Sequence, residues 1–186
     1  MAEEYDFKDY SSRISAALAA TNPESIEKVI EAILECSSSN GTIWLIGNGG
    51  SASTSSHFAT DLSRCINANG KPVKGVSLCD NSGLITAIGN DFGFEEIFVN
   101  QLTNLAMNND LLISISASGN STNLIKAINY AKSKLIKTVA LTGFNGGVLH
   151  KICDYSVHVP TGLGDYGVSE DSHSIISHYI CSQIRG

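Results

Sequence analysis

Two groupings in this chain have residue types and spacings that could do chemistry. His57 and Asp61 stand four apart in HFATDL, residues 57–62. On a helix they share one face, one turn apart. An imidazole and a carboxylate placed so suit two ligands on one metal ion, or a general base oriented by its neighbour. The second grouping is a pair of loops rich in hydroxyls and glycine, Gly47-Asn48-Gly49-Gly50-Ser51 and Ser116-Ala117-Ser118-Gly119-Asn120-Ser121. A loop of this kind that opens a helix offers an anion the free N–H groups and positive dipole end of that helix. Serine hydroxyls add donors without charge, and glycine lets the backbone approach closely. Neither loop carries G-K-S/T or GxGxxG, which disfavours nucleoside triphosphates and dinucleotides. The chemistry indicated is acid–base or metal-assisted work beside a phosphate.

The elements that must position these residues follow from periodicity. An Ala-rich helix spans about 8–20. Asn22-Pro23-Glu24 reads as N-cap, first-turn proline and first-turn acid. Ile26, Val29, Ile30, Ile33 and Leu34 continue that second helix as one apolar stripe, which the run 37–41 ends. From residue 42 the pattern alternates. TIWLI (42–46) is a strand that runs into the first loop and a helix to about Cys65. VKGVSL (73–78) is a strand, followed by a short helix near 82–88, a turn at GNDFGF (89–94) and a helix over about 95–107. LLISIS (111–116) feeds the second loop and a helix to about Lys134. TVALTG (138–143) and YSVHVP (155–160) are further strands, and a last helix covers about 168–184. Near-continuous apolar strands joined by helical crossovers predict an α/β fold with a five-stranded parallel sheet covered on both faces. Ligands in such sheets bind beyond the carboxyl ends of the strands, where both loops fall.

Composition narrows the class. The chain has 186 residues, 42% of them apolar, and a net charge of −6. One globular domain fits this size. The bulk negative field argues against nucleic acid as a partner. No apolar run reaches the ~20 residues that span a bilayer, so no membrane is expected. The N-terminus, MAEEYDFKDY, is acidic and does not read as a signal peptide. Cys36, Cys65, Cys79, Cys153 and Cys181 form no CxxC pair and are odd in number, which fits reduced thiols in the cytoplasm.

GNGGSAS (47–53), HFATDL (57–62), GNDFGF (89–94), SASGNS (116–121), LTGFNGG (141–147) and YGVSEDSHSIISH (166–178) occur in an order that resembles the phosphoheptose isomerases of the SIS (sugar isomerase) class. The resemblance spans essentially the whole chain. It implies a single SIS domain over 1–186. This would be a flavodoxin-like core over 42–184 with an N-terminal helical arm over 1–36, assembled as a homotetramer with sites between subunits. It also implies an aldose–ketose isomerase that converts sedoheptulose 7-phosphate to D-glycero-D-manno-heptose 7-phosphate for glycan precursors. By position, Ser116, Ala117, Ser118 and Ser121 hold phosphate. Asn48, Gly49, Gly50, Asn90 and Asp91 line the sugar, with Ser51 in the first loop beside them. The zinc ligands of some members correspond to His57, Asp61, Glu170 and His178, and Glu170 also borders the substrate.

Within the last segment, Glu170 and His178 are eight apart, about 80° out of phase on an ideal helix, whereas Asp171 aligns better. Glu170 is preferred because a helix beginning near 168 would place it at a frayed start. His173 is a further candidate expected to point elsewhere, and His150 and His158 read as structural. An enediolate route then assigns Asp61 as base and His178 as acid–base partner, with zinc, another divalent metal or no metal at all. The chain departs from the family pattern at five positions. Asp61 stands for Glu, Glu170 for Gln, Ala117 for a hydroxyl residue, Cys65 for a basic residue and Gly167 for Asp. Competing readings are a non-catalytic sugar-phosphate sensor or partner of the replication initiator DnaA, and an SIS isomerase of another sugar phosphate.

Overall fold

A computed structural model describes residues 6–185. α1 (Phe7–Ala19) opens on Asp6, whose carboxylate accepts from the Asp9 N–H at 2.7 Å. α2 (Pro23–Ser38) starts as its sequence dictates: the Asn22 side chain accepts from the Glu24 N–H, and Pro23 gives up only an N–H that would have lacked a partner. It stops where Asn40 takes φ 60. The rest of the chain alternates: β1 (Thr42–Gly47), α3 (Gly50–Ser63), β2 (Lys74–Ser77), α4 (Ser82–Asp91), a 3-10 turn (Phe94–Glu96), α5 (Ile97–Leu105), β3 (Leu111–Ser116), α6 (Thr122–Ser133), β4 (Lys137–Thr142), α7 (Leu149–Ile152), β5 (Tyr155–His158) and α8 (Tyr166–Arg185). All strand pairs are parallel, in the order β2-β1-β3-β4-β5.

Strand alternation divides the interior into two cores. Ile43, Leu45, Ile113, Val139 and Leu141 face α2, α3 and α8, where Val29, Ile33, Phe58, Leu62, Ile176 and Ile180 meet them. Trp44, Ile46, Leu112 and Ala140 face the opposite layer, built from α4, α5, α6 and α7. α1 lies in the first layer, with Ala17 in the core, Tyr10 hydrogen-bonded to Asp171 of α8 and Arg13 paired with Asp165. The sheet order reverses between β1 and β3. Their carboxyl ends therefore open a crevice, and the two hydroxyl-rich loops rim it. Among the described residues no helix is long and apolar enough to cross a membrane, and all five cysteines are free.

Two boundaries differ from the sequence expectation, and both matter for the site. Gly89, Asn90 and Asp91 do not form a turn. α4 continues through them, closed by the Phe92 N–H on the Ile88 carbonyl at 2.8 Å, and the chain turns only at Gly93, φ 100. α8 begins at Tyr166 rather than near 168, despite Gly167. The Asp165 carbonyl accepts both the Ser169 N–H and its hydroxyl, and the Arg13 ion pair holds Asp165 in place.

Candidate active site

The first part of the site is an anion cradle. Asn48, Ser51, Ser116, Ala117, Ser118, Ser121, Tyr166 and Glu170 surround a cavity of about 140 Å³ at the carboxyl ends of β1 and β3. The second loop is tied down by its own hydroxyls. Ser116 Oγ accepts from the Gly119 N–H at 3.1 Å, and Ser118 Oγ from the Asn120 N–H at 3.3 Å. Gly119 sits at φ +63, and a Cβ there would run into the Gly146 carbonyl, so only glycine lets the loop pack. Ser121 is the N-cap of α6, yet its side chain makes no capping hydrogen bond. Its hydroxyl and the first N–H groups of α6 are left for a ligand. The first loop enters α3 through Gly49 at φ 55, again without a side-chain cap.

The second part lies further along α3 and α8. These helices run in the same direction and meet along a seam. At its top, a Cβ on Gly50 would strike the Glu170 carboxylate. Two turns on, His57 and His178 face each other, with ring centroids 4.8 Å apart and their Nε2 atoms at 3.4 Å. Asp61 Oδ2 lies 3.6 Å from His57 Nε2 and 3.7 Å from His178 Nε2. Asp61 Oδ1 is 3.5 Å from an Arg185 Nη, so the two carboxylate oxygens face different partners. The three ligating atoms of His57, Asp61 and His178 fall within 4.8 Å of one another. Asp61 is 17% exposed, while His57 and His178 are about half exposed. The donor set is two imidazoles and one carboxylate converging from two helices. It fits a borderline divalent cation such as Zn²⁺ and leaves coordination positions open.

The helix geometry relates the two parts. Six residues separate Ser51 from His57, about 9 Å along α3, and eight separate Glu170 from His178, about 12 Å along α8.

Within one chain the structure does not bring together all the residues named from the sequence. Glu170 does not join the trio. With α8 starting at Tyr166, it sits in regular helix and points at Gly50 and the cradle, while His57, Asp61 and His178 meet without it. Burial, reinforced by the charge of Asp171, raises the Glu170 pKa above the usual carboxylate range. Asn90 and Asp91 do not line the cradle within one chain. They are exposed at the end of α4 and hydrogen-bonded to each other at 2.8 Å. The remaining candidates lie elsewhere. Asp171 is taken by the Tyr10 O–H at 2.6 Å, and His173 is fully buried away from the trio. His150 and His158 pack ring against ring on α7 and β5, with Nδ1 atoms on Ser156 and Thr142.

A family model described as the SIS domain matches residues 6–143. The chain is 37% identical over 169 residues to the phosphoheptose isomerase of Aliarcobacter butzleri (strain RM4018), covering 91% of this chain and 88% of that protein. The chain belongs to the SIS-domain phosphoheptose isomerase family. It is also 38% identical over 159 residues to the phosphoheptose isomerase of Campylobacter jejuni subsp. jejuni serotype O:6 (strain 81116 / NCTC 11828), covering 86% of this chain and 84% of that protein. Its fold matches the structure of phosphoheptose isomerase GmhA from Neisseria gonorrhoeae at a TM-score of 0.84 and 30% identity, over 96% of this chain and 94% of that one. As a member of this family, the chain is an aldose–ketose isomerase.

Sequence reasoning missed Tyr166, Arg185 and Asn123. Tyr166 lines the cradle and packs edge-on to Phe144 at 5.0 Å. Arg185 reaches Asp61 from the far end of α8. Asn123 is buried and pairs with Asn48. Only Asn123 carried a local signal: it follows the N-cap Ser121 by two residues, in the first turn of α6.

Proposed function

We propose that the chain interconverts sedoheptulose 7-phosphate and D-glycero-D-manno-heptose 7-phosphate, supplying heptose for glycan precursors. The observation that carries this reading is the seam between α3 and α8, with an anion cradle at one end and an acid–base trio two turns away. From phosphorus to C2, an extended heptose 7-phosphate spans seven bonds, about 9 Å at about 1.25 Å of advance per bond. That length is close to the step of about 9 Å along α3 from Ser51 to His57 and shorter than the step of about 12 Å along α8 from Glu170 to His178. A pentose 5-phosphate is two bonds shorter and reaches the trio less readily.

The cradle residues Ser51, Ser116, Ser118 and Ser121 bind phosphate, with Ala117 and the α6 amino end beside them. Asn48, the Gly49-Gly50 turn and Glu170 line the sugar. Asp61 takes the proton from the carbon next to the carbonyl and returns it to the neighbouring carbon. His178 gives and receives the proton on oxygen and assists ring opening. Oriented acid–base groups typically contribute about 10²–10⁴-fold each. His57, Asp61 and His178 would hold Zn²⁺, with Glu170 standing outside this set. A bound zinc ion supplies Lewis-acid polarisation of the carbonyl and hydroxyl oxygens.

The active assembly is a homotetramer of single SIS domains spanning 1–186, with Asn90 and Asp91 of a neighbouring copy closing the sugar site. The half-exposed imidazoles and the outward Phe92, Ile175 and Tyr179 support a covering subunit. The acidic charge supports action without nucleic acid, and the free thiols support a cytoplasmic setting. The test is a panel of heptose, hexose and pentose phosphates with and without zinc, products identified by NMR in deuterated water. The expected result is turnover of the seven-carbon ketose with deuterium at C2 of the aldose. Preference for a pentose phosphate overturns the reading. Light scattering of the purified protein checks the tetramer.

A further inference from the structure

Asn48 of the first loop and Asn123 of α6 form a closed amide pair. Asn48 Nδ2 donates to Asn123 Oδ1 at 2.9 Å, and Asn123 Nδ2 donates to Asn48 Oδ1 at 2.9 Å. Such a pair could hold either of two polarities, because rotating both amides exchanges donors with acceptors. Here the degeneracy is broken by the backbone. The Leu124 N–H donates to Asn123 Oδ1 at 2.9 Å, so that atom must be the oxygen. A flipped Asn123 would set its own N–H₂ against this donor in a site only 2% exposed, where an unpaired polar contact is costly. Asn123 therefore fixes which edge of the Asn48 amide donates and which accepts. One Asn48 N–H and one lone pair stay uncommitted, on opposite edges of the amide. Asn48 lines the anion cradle and also an adjoining open cavity of about 560 Å³ with Phe94, Glu95, Ser121, Thr122 and Asn123.

We infer that Asn123 is a positioning residue for sugar recognition: it locks the polarity of Asn48, so that Asn48 reads the hydroxyls of the ligand rather than its phosphate. This rests on the sugar-phosphate reading of the cradle. Asn123 itself makes no ligand contact. It ties the sugar loop to the start of the helix that carries the phosphate N-cap, so both ends of the ligand are registered against one rigid element.

The experiment is calorimetric binding of sedoheptulose 7-phosphate and of inorganic phosphate to wild type, Asn48→Ala, Asn123→Ala and the double variant. Removing Asn123 is expected to weaken the sugar phosphate about tenfold while inorganic phosphate changes less than about twofold. In the Asn48→Ala background the same change should have no further effect. Additive losses in the double variant, or equal losses for the two ligands, overturn the inference. If Asn123→Ala does not fold, Asn123→Asp and Asn123→Leu decide. Because aspartate also brings a negative charge beside the cradle, Asn123→Leu is run with it: leucine keeps the volume, adds no charge and removes the amide partner of Asn48, while the Leu124 N–H keeps its bond to the Ser121 carbonyl at 3.1 Å, so the sugar-to-phosphate affinity ratio should still fall in Asn123→Leu. A wild-type protein that binds inorganic phosphate as tightly as the sugar phosphate instead overturns the sugar-phosphate reading, independently of the amide pair.

Discussion

The cradle and the trio are built by opposite means. The cradle is made of loop backbone and short hydroxyl side chains at the ends of β1 and β3, already held by internal bonds such as Gly119 N–H to Ser116 Oγ. It is preorganised and carries no lysine or arginine in its lining. The trio is made of longer side chains on two helix faces. Its imidazoles are half exposed, and its contacts, at 3.4–3.7 Å, are looser than good hydrogen bonds. The difference teaches that the proposed anion site is a product of local chain geometry. The proton-transfer end exists only because α3 and α8 pack in one register, and it is left open for a metal, a substrate or a neighbouring copy to complete.

If that division holds, the two ends fail separately. Asp61→Asn or His178→Ala should cut kcat by about 10²–10⁴-fold while affinity for inorganic phosphate, measured by calorimetry, stays within about twofold. A parallel loss of phosphate binding would break the comparison. Gly119→Ala should do the reverse. Its Cβ meets the Gly146 carbonyl at a backbone angle that side chains avoid, so the loop shifts and phosphate affinity falls on the order of tenfold or more. Zinc uptake at the proposed His57, Asp61 and His178 site should be unaffected, as equilibrium dialysis with atomic absorption would read. Gly50→Ala is milder. Its Cβ displaces the flexible end of Glu170, so KM should rise several-fold with kcat nearly kept, visible in steady-state kinetics.

The smallest effect at neutral pH concerns the helix that carries both ends. His173 is fully buried on α8, and neither ring nitrogen meets hydrogen-bond geometry, although the Thr142 backbone acts on it. Burial pushes its pKa down from 6.5 to about 4. The folded chain then resists a proton that the unfolded chain accepts. The stability tied to His173 is complete above about pH 6.5 and is lost progressively as pH falls to about 4, on the order of 3 kcal/mol in all. His173→Leu should flatten this part of a Tm-against-pH curve while leaving Tm near pH 8 little changed. An unchanged acid slope would remove His173 from the account.

Legibility followed range along the chain. Residues 116–121 were readable as an anion loop because serine, glycine and the strand-to-helix transition are neighbours in sequence. His57 and Asp61 were readable as a pair because one helical turn joins them. Glu170 was harder to place, because its position depends on where α8 begins. That start is held by Asp165 and by Arg13, which lies 152 residues earlier in the chain. Asn90 and Asp91 were read as turn residues, yet α4 extends over them because Phe92 closes one more helical bond on Ile88.

By itself the sequence determined the α/β alternation, the two phosphate-type loops and the placement of a histidine and an acid on one helix face. These depend on periodicity and neighbouring residue types, which act over one or two turns. Only the tertiary structure decided that His57, Asp61 and His178 meet across α3 and α8 while Glu170 lies beside Gly50, that Arg185 comes within 3.5 Å of the second oxygen of Asp61, and that Asn48 and Asn123 close an amide pair. Those outcomes depend on how two helices and two loops, far apart in the chain, are registered by the apolar packing of one shared sheet, and no local pattern encodes that register.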